Sequence, residues 1–207
     1  RLVPSYKIWL EELSKPIVMT SDIDKDSLTF ESLEPGVMKN IKIYLHEAKR
    51  KYEISKNTFI ERVNILAKFA ETKNITLLIE NNVLSSNNFE EFKENILLMV
   101  DESECSEIMN SVRNNVKMLV DVAHLKVSSN SLNFDRISFL KKLDKWIFAY
   151  HLSDNNGKSD SNEKIRLDSW FWPYIKNNLD YYSIEVYGEE PEELFKQKEL
   201  TQKMIYN

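Results

Sequence analysis

Cysteine is almost missing from this chain. Cys105 is the single one in 207 residues, which excludes an internal disulfide and points to a reducing compartment, the cytoplasm. Glycine is scarce too, with 3 residues against an average usage of roughly 7%. No apolar run approaches the length needed to cross a bilayer and no secretory signal opens the sequence, so no membrane partner is expected. Positive charge is in deficit. The net charge of −5 gives no general attraction to nucleic acid or to an anionic surface, and a nucleic-acid partner is not expected. Histidine is limited to His46, His124 and His151.

What is present fits one globular domain over residues 1–207. With 42% hydrophobic and 29% charged residues, the chain has enough apolar material for a substantial core. Four short apolar runs rich in β-branched and aromatic residues predict strands: Ile75–Ile79, Val116–Val122, Trp146–His151 and Tyr181–Gly188. Between them, Phe89, Phe92, Ile96 and Met99 recur at helical spacing behind an N-cap at Asn87 or Asn88. Further helices are predicted over Ile137–Leu143 and near Asp168–Leu179, and Pro191 opens a last one. Upstream, Phe59, Val63, Leu66, Ala67 and Ala70 form the apolar stripe of a helix capped by Ser55 or Asn57. Lys15–Asp22 reads as a strand. The segment from Val37 to Tyr52 fits a helix better than a strand ending at His46. Strands apolar on both faces that alternate with helices predict a parallel sheet covered by helices.

Each of the four later runs finishes in a polar residue: Glu80, Asp121, His151 and Glu185. In parallel α/β folds the carboxyl ends of the strands share one face, and sites are built there. Three carboxylates brought that close repel one another, and a divalent cation removes the repulsion while accounting for their burial. This donor set suits Mn²⁺, Mg²⁺, Co²⁺, Fe²⁺ or Zn²⁺. Taken singly, each residue reads as a helix cap or a satisfied hydrogen-bonding group. The argument for a shared site is repetition at the same position in four successive units.

The stretches "LLIEN", "LVDVAH", "FAYHLSDNNG" and "YYSIEVYG", in this order and spacing, resemble the xylose isomerase-like TIM-barrel superfamily. It includes sugar and sugar-phosphate isomerases and epimerases and the type IV apurinic endonucleases. The resemblance implies an α/β fold, a (β/α) TIM barrel. It also implies one divalent metal ion, Mn, Mg, Co or Zn, held by Glu80, Asp121, His151 and Glu185. Glu80 and Glu185 would double as the acid/base pair, with His124 and Asp154 on the substrate side. The implied activity is isomerisation or epimerisation of a sugar or sugar phosphate through an enediolate.

Several positions depart from the family pattern. After "HLSD" the loop continues through Asp160, Asn162 and Glu163 without a histidine, and the nearest arginine is Arg166. That weighs against the three-metal site of an endonuclease, the second reading. A third is a non-catalytic metal- or ligand-binding member of the family. A closed barrel usually takes about 250 residues. Lys15–Asp22 and Asn40–His46 cannot supply four strands, so the expectation is a barrel whose N-terminal strands are missing from the sequence given. His46, if it ends a strand, would be another pocket histidine. The aromatic cluster "SWFWPY" reads as core or as a subunit interface in a homo-oligomer.

Overall fold

The structure, a computed structural model, describes residues 52–92 and 95–206. The predicted strand at Lys15–Asp22, the ambiguous segment from Val37 and His46 all lie outside the described residues.

Among the described residues four strands make one sheet: β1 (Leu77–Glu80), β2 (Val116–Asp121), β3 (Ile147–Leu152) and β4 (Tyr181–Ile184). Their order is β1-β2-β3-β4, and every pairing is parallel. Parallel neighbours need a crossover, and helices supply most of it. Helix α1 (Tyr52–Glu71) precedes β1. Helices α2 (Ser86–Phe92) and α3 (Glu102–Ser111) join β1 to β2, while α4 (Val122–Leu132) and α5 (Arg136–Leu143) join β2 to β3. Helix α6 (Pro191–Tyr206) follows β4, with Pro191 in the first turn as its missing N–H allows. The core lies between sheet and helices: Val116, Met118 and Val120 of β2 and Ile147, Tyr150 and Leu152 of β3 pack with Phe59, Val63, Ile108, Leu125, Phe139 and Leu143.

Several elements depart from expectation. On α1, Phe59, Val63, Ala67 and Ala70 are buried as the stripe requires, but Leu66 is 57% exposed. Its helix also begins three residues before Ser55, the expected cap. The helix expected through Met99 stops at Phe92, and α3, which the pattern did not predict, begins only past Asp101. Helix α2 begins at Ser86, where the Ser85 hydroxyl accepts the Asn88 N–H, and ends at Phe92. Met99 then takes a left-handed φ of 63°, and Asp101 starts α3 by accepting from the N–H groups of Ser103 and Glu104. No helix covers Asp168–Leu179. Pro173 would sit inside it without an N–H to donate, and the segment turns instead, with the Tyr174 and Ile175 N–H groups both on the Phe171 carbonyl. Helix α4 is an addition the apolar pattern did not predict.

Glu104 ties these pieces together. Its buried carboxylate accepts from the Tyr52 hydroxyl on α1 and from the Met99 N–H. Burial pushes its carboxyl up to about 7, although both hydrogen bonds oppose the shift. The folded state therefore holds a proton that the unfolded chain releases near 4.5. This stabilisation is complete below about pH 4.5 and is lost as the pH rises through about 7. The span corresponds to roughly 3 kcal/mol. Glu104→Gln should flatten that slope in urea unfolding followed from pH 4.5 to 8, since glutamine keeps an acceptor for the Met99 N–H. A slope unchanged in the variant would assign it to other groups.

Candidate metal centre

Strand register decides which side chains meet. Side chains alternate between faces with a period of two. Glu80 is level with Leu119, and Asp121, two residues further along β2, is level with His151. His151 is level with Ser183, and Glu185 lies two residues beyond it. All four therefore share one face at the carboxyl edge of the sheet. Past the last strand pairing, the Glu185 N–H donates to the Leu152 carbonyl at 3.0 Å, so Glu185 is still fixed to β3.

One ligand atom from each of Glu80, Asp121, His151 and Glu185 lies within 4.8 Å of the other three. His151 Nδ1 is 2.8 Å from Glu185 Oε2 and 3.2 Å from Glu80 Oε1. Burial opposes charge on His151, but these two carboxylates outweigh it and push the imidazole up to about 10. His151 in turn draws the Glu185 carboxyl down to about 2, against the effect of burial. The side chains of Glu80, His151 and Glu185 keep 15%, 24% and 20% of their exposure, so the cluster can be reached from outside.

Asp121 has no such exposure. Oδ1 accepts the His124 N–H at 2.8 Å and caps α4, whereas Oδ2 is buried without a hydrogen-bond partner among the described residues. Burial pushes this carboxyl up to about 6, with His124 pulling the other way. A buried carboxylate oxygen left unsatisfied costs about 1–3 kcal/mol or more. A cation between Asp121, Glu80, Glu185 and His151 would remove that cost. The residues present thus fit a divalent ion: three hard oxygen donors and one imidazole nitrogen.

His124, expected on the substrate side, stands in the first turn of α4. Its ring is held at both ends, Nδ1 at 2.9 Å from the Asn81 carbonyl and Nε2 at 3.2 Å from Asp160 Oδ2. Asp160 belongs to this site, and no single motif in the sequence marks it. The loop after β3 carries it there. Asn155 Nδ2 donates to the Ala123 carbonyl, and Asn130 Nδ2 donates to the Gly157 carbonyl. Gly157 has φ 76°, and a Cβ there would come within 2.3 Å of Asn130. Asp154, expected beside the substrate, is not among the four clustered residues. Lys126 holds its Oδ1 at 2.6 Å and the Ser169 hydroxyl donates to its Oδ2 at 2.8 Å. Burial would raise the Asp154 carboxyl, but those partners draw it down.

The family model described as "Xylose isomerase-like TIM barrel" matches residues 10–192. No curated protein matches the chain. Among solved structures, the chain is similar to the "probable 3-DHS dehydratase AsbF involved in the petrobactin synthesis" of Bacillus anthracis. That match has 15% identity and a TM-score of 0.51, and covers 98% of this chain and 83% of the other. A "putative xylose isomerase" of Rhodospirillum rubrum matches with 17% identity and a TM-score of 0.45, over 86% of this chain and 56% of the other. At these identities the likeness is one of fold.

A cation that takes Nδ1 of His151 must displace the proton the imidazole holds near neutral pH. Binding should therefore release about one proton per ion at pH 7, and apparent affinity should fall about tenfold for each unit the pH is lowered. Calorimetry in buffers of different ionisation enthalpy reads the proton count. A count of zero would remove His151 from the ligand set.

Proposed function

Because the chain belongs to the xylose isomerase-like TIM barrel family, we propose that it is a divalent-metal-dependent isomerase or epimerase of a sugar or sugar phosphate. One observation carries this reading: four strand-end ligand atoms gather at one point, and one of those residues, Asp121, buries an oxygen with no hydrogen-bond partner among the described residues. Glu80, Asp121, His151 and Glu185 would hold the ion. When bound, it supplies Lewis-acid stabilisation of the negative charge that develops on a carbonyl oxygen as the neighbouring carbon is deprotonated.

The proton work falls to the chain's own residues. Glu80 enters from β1 and Glu185 from beyond β4, with β2 and β3 between them. Two carboxylates on opposite flanks suit removal of a proton by one and its return by the other. Both lie against His151 Nδ1, which can hold a proton between them while the cluster is metal-free. His124, fixed by Asn81 and Asp160, lines the same face and is placed to meet substrate oxygens. We assign Asp154 to holding the loop through Lys126 and Ser169 rather than to direct substrate contact. The reading takes a small polar substrate, a cytoplasmic setting and neither membrane nor nucleic acid as partner.

Elemental analysis after chelation and refilling with Mn²⁺, Co²⁺ or Zn²⁺ should find about one ion per chain, lost in Asp121→Asn. A chain that retains no ion would sink the metalloenzyme reading. Sugars and sugar phosphates incubated with the loaded protein in deuterium oxide should then gain deuterium beside the carbonyl. Glu185→Gln should reduce that exchange by roughly 10²–10⁴-fold with an unchanged melting temperature. Exchange undiminished in the variant would take Glu185 out of the chemistry. A product that has lost water would replace isomerisation by dehydration.

A further inference from the structure

Glu185 is gripped on both oxygens. Oε2 lies 2.8 Å from His151 Nδ1, inside the cluster, and the Tyr187 hydroxyl donates to Oε1 at 2.5 Å. The carboxylate is thereby divided, one oxygen turned to the shared site and the other tied to a phenol at its rim. Tyr187 is itself anchored. Its N–H donates to the Asn162 carbonyl at 3.0 Å, in the loop that brings Asp160 to His124. That loop is closed at its base by two backbone hydrogen bonds between Asp154 and Glu163, at 2.9 and 2.7 Å. The Ser153 hydroxyl, donating to Asn162 Oδ1 at 3.0 Å, adds a third tie. The phenol is therefore held by the same loop that completes the site, although Tyr187 as a residue is 41% exposed.

Building on the metal-centre reading, we propose that Tyr187 is a positioning residue that restricts Glu185 to ligation through Oε2 alone. A carboxylate with both oxygens available can chelate an ion or swing between one-point and two-point attachment. A phenol donating to Oε1 removes that freedom and fixes the plane of the group. Hydrogen bonds to ligating carboxylates orient them in this way, and their loss commonly weakens metal binding by about 10–100-fold. Phenylalanine at position 187 retains the ring and removes only the O–H, so the substitution isolates the bond.

The test uses Co²⁺ as both ligand and reporter, because its visible absorption changes with coordination number and geometry. Intact protein, Tyr187→Phe and the remote surface variant Tyr206→Phe are stripped, titrated with Co²⁺ and melted. In Tyr187→Phe the dissociation constant should rise by about tenfold or more. The absorption bands should also lose intensity as the second oxygen joins the ion, with Tyr206→Phe matching the intact protein. A spectrum identical to that of the intact protein overturns the inference, whatever happens to affinity. A lowered melting temperature with an unaltered spectrum likewise overturns it, by making Tyr187 a packing residue. Failure of the intact protein to bind Co²⁺ at all overturns the metal-centre reading, and this inference falls with it. The two failures are thus distinguished by whether the intact protein binds the ion.

Discussion

Asp121 ends β2 and starts α4, and its two carboxylate oxygens are committed differently. Oδ1 caps the helix through the His124 N–H, a contact worth about 1 kcal/mol in helix stability. That bond fixes the rotation of the carboxylate and aims Oδ2 at the cluster. The same bond draws α4 tight against the end of β2, which brings the His124 ring beside Glu80 and Asp160. Local helix chemistry and the shared site therefore rest on one side chain. Loss of the cap would move the ligand and the neighbouring imidazole together.

Around it, the asparagines after β1 extend the sheet beyond its ladder. Asn81 accepts the Asp121 N–H with its side-chain oxygen at 2.8 Å and donates its amide to the Asp121 carbonyl at 3.1 Å. Its own carbonyl is the partner of His124 Nδ1. One asparagine thus fixes the backbone of one cluster member and the ring beside it. Asn82 continues the chain of contacts, its N–H donating to the Met99 carbonyl at 2.8 Å. Met99 in turn leans on Glu104. The buried carboxylate under α1 and α3 is therefore two hydrogen bonds from the backbone that frames the site. A rigid arrangement of this kind is what a constellation of like charges needs, because small displacements would let the groups spread apart.

The strand ends were legible because their signal is local and repeated. An apolar run followed by Glu, Asp or His needs no knowledge of the rest of the chain, and period-two geometry carries all four side chains to one face. Helix α4 was hidden by composition: the second half of "VAHLKVSSNSL" is mostly serine and asparagine, which are weak helix formers. Yet Asp121 at the cap and His124 three residues later are themselves the start signal, read at first only as ligand and pocket residue. Over Asp168–Leu179 the spacing of Trp170, Phe171, Tyr174 and Ile175 mimics a helix that Pro173 interrupts. Asp160 could not be found from pattern, since its contact with His124 spans 36 positions and depends on how a glycine-pivoted loop folds back. For Tyr187 the clue was present, two residues past Glu185, but a hydroxyl bond to a carboxylate leaves no periodic trace.

A network of ion pairs complete in itself would make a simpler account of the same residues. His151 does satisfy Glu185 and Glu80 at hydrogen-bonding distances, and a protein can bury such a network for structural reasons alone. Asp121 is where that account fails. His124 Nε2 and His151 Nδ1 stop 3.8 and 3.9 Å from its Oδ2, beyond hydrogen-bonding range, and no other group among the described residues hydrogen-bonds to it. Four carboxylates, Asp160 included, face two imidazoles, and the fully buried Asp121 Oδ2 is left without a hydrogen bond among the described residues. A chain selected only for stability would gain by replacing that aspartate with asparagine, which can cap α4 equally well and carries no charge. A carboxylate turned inward at the meeting point of four strands is what the proposed cation-binding function calls for.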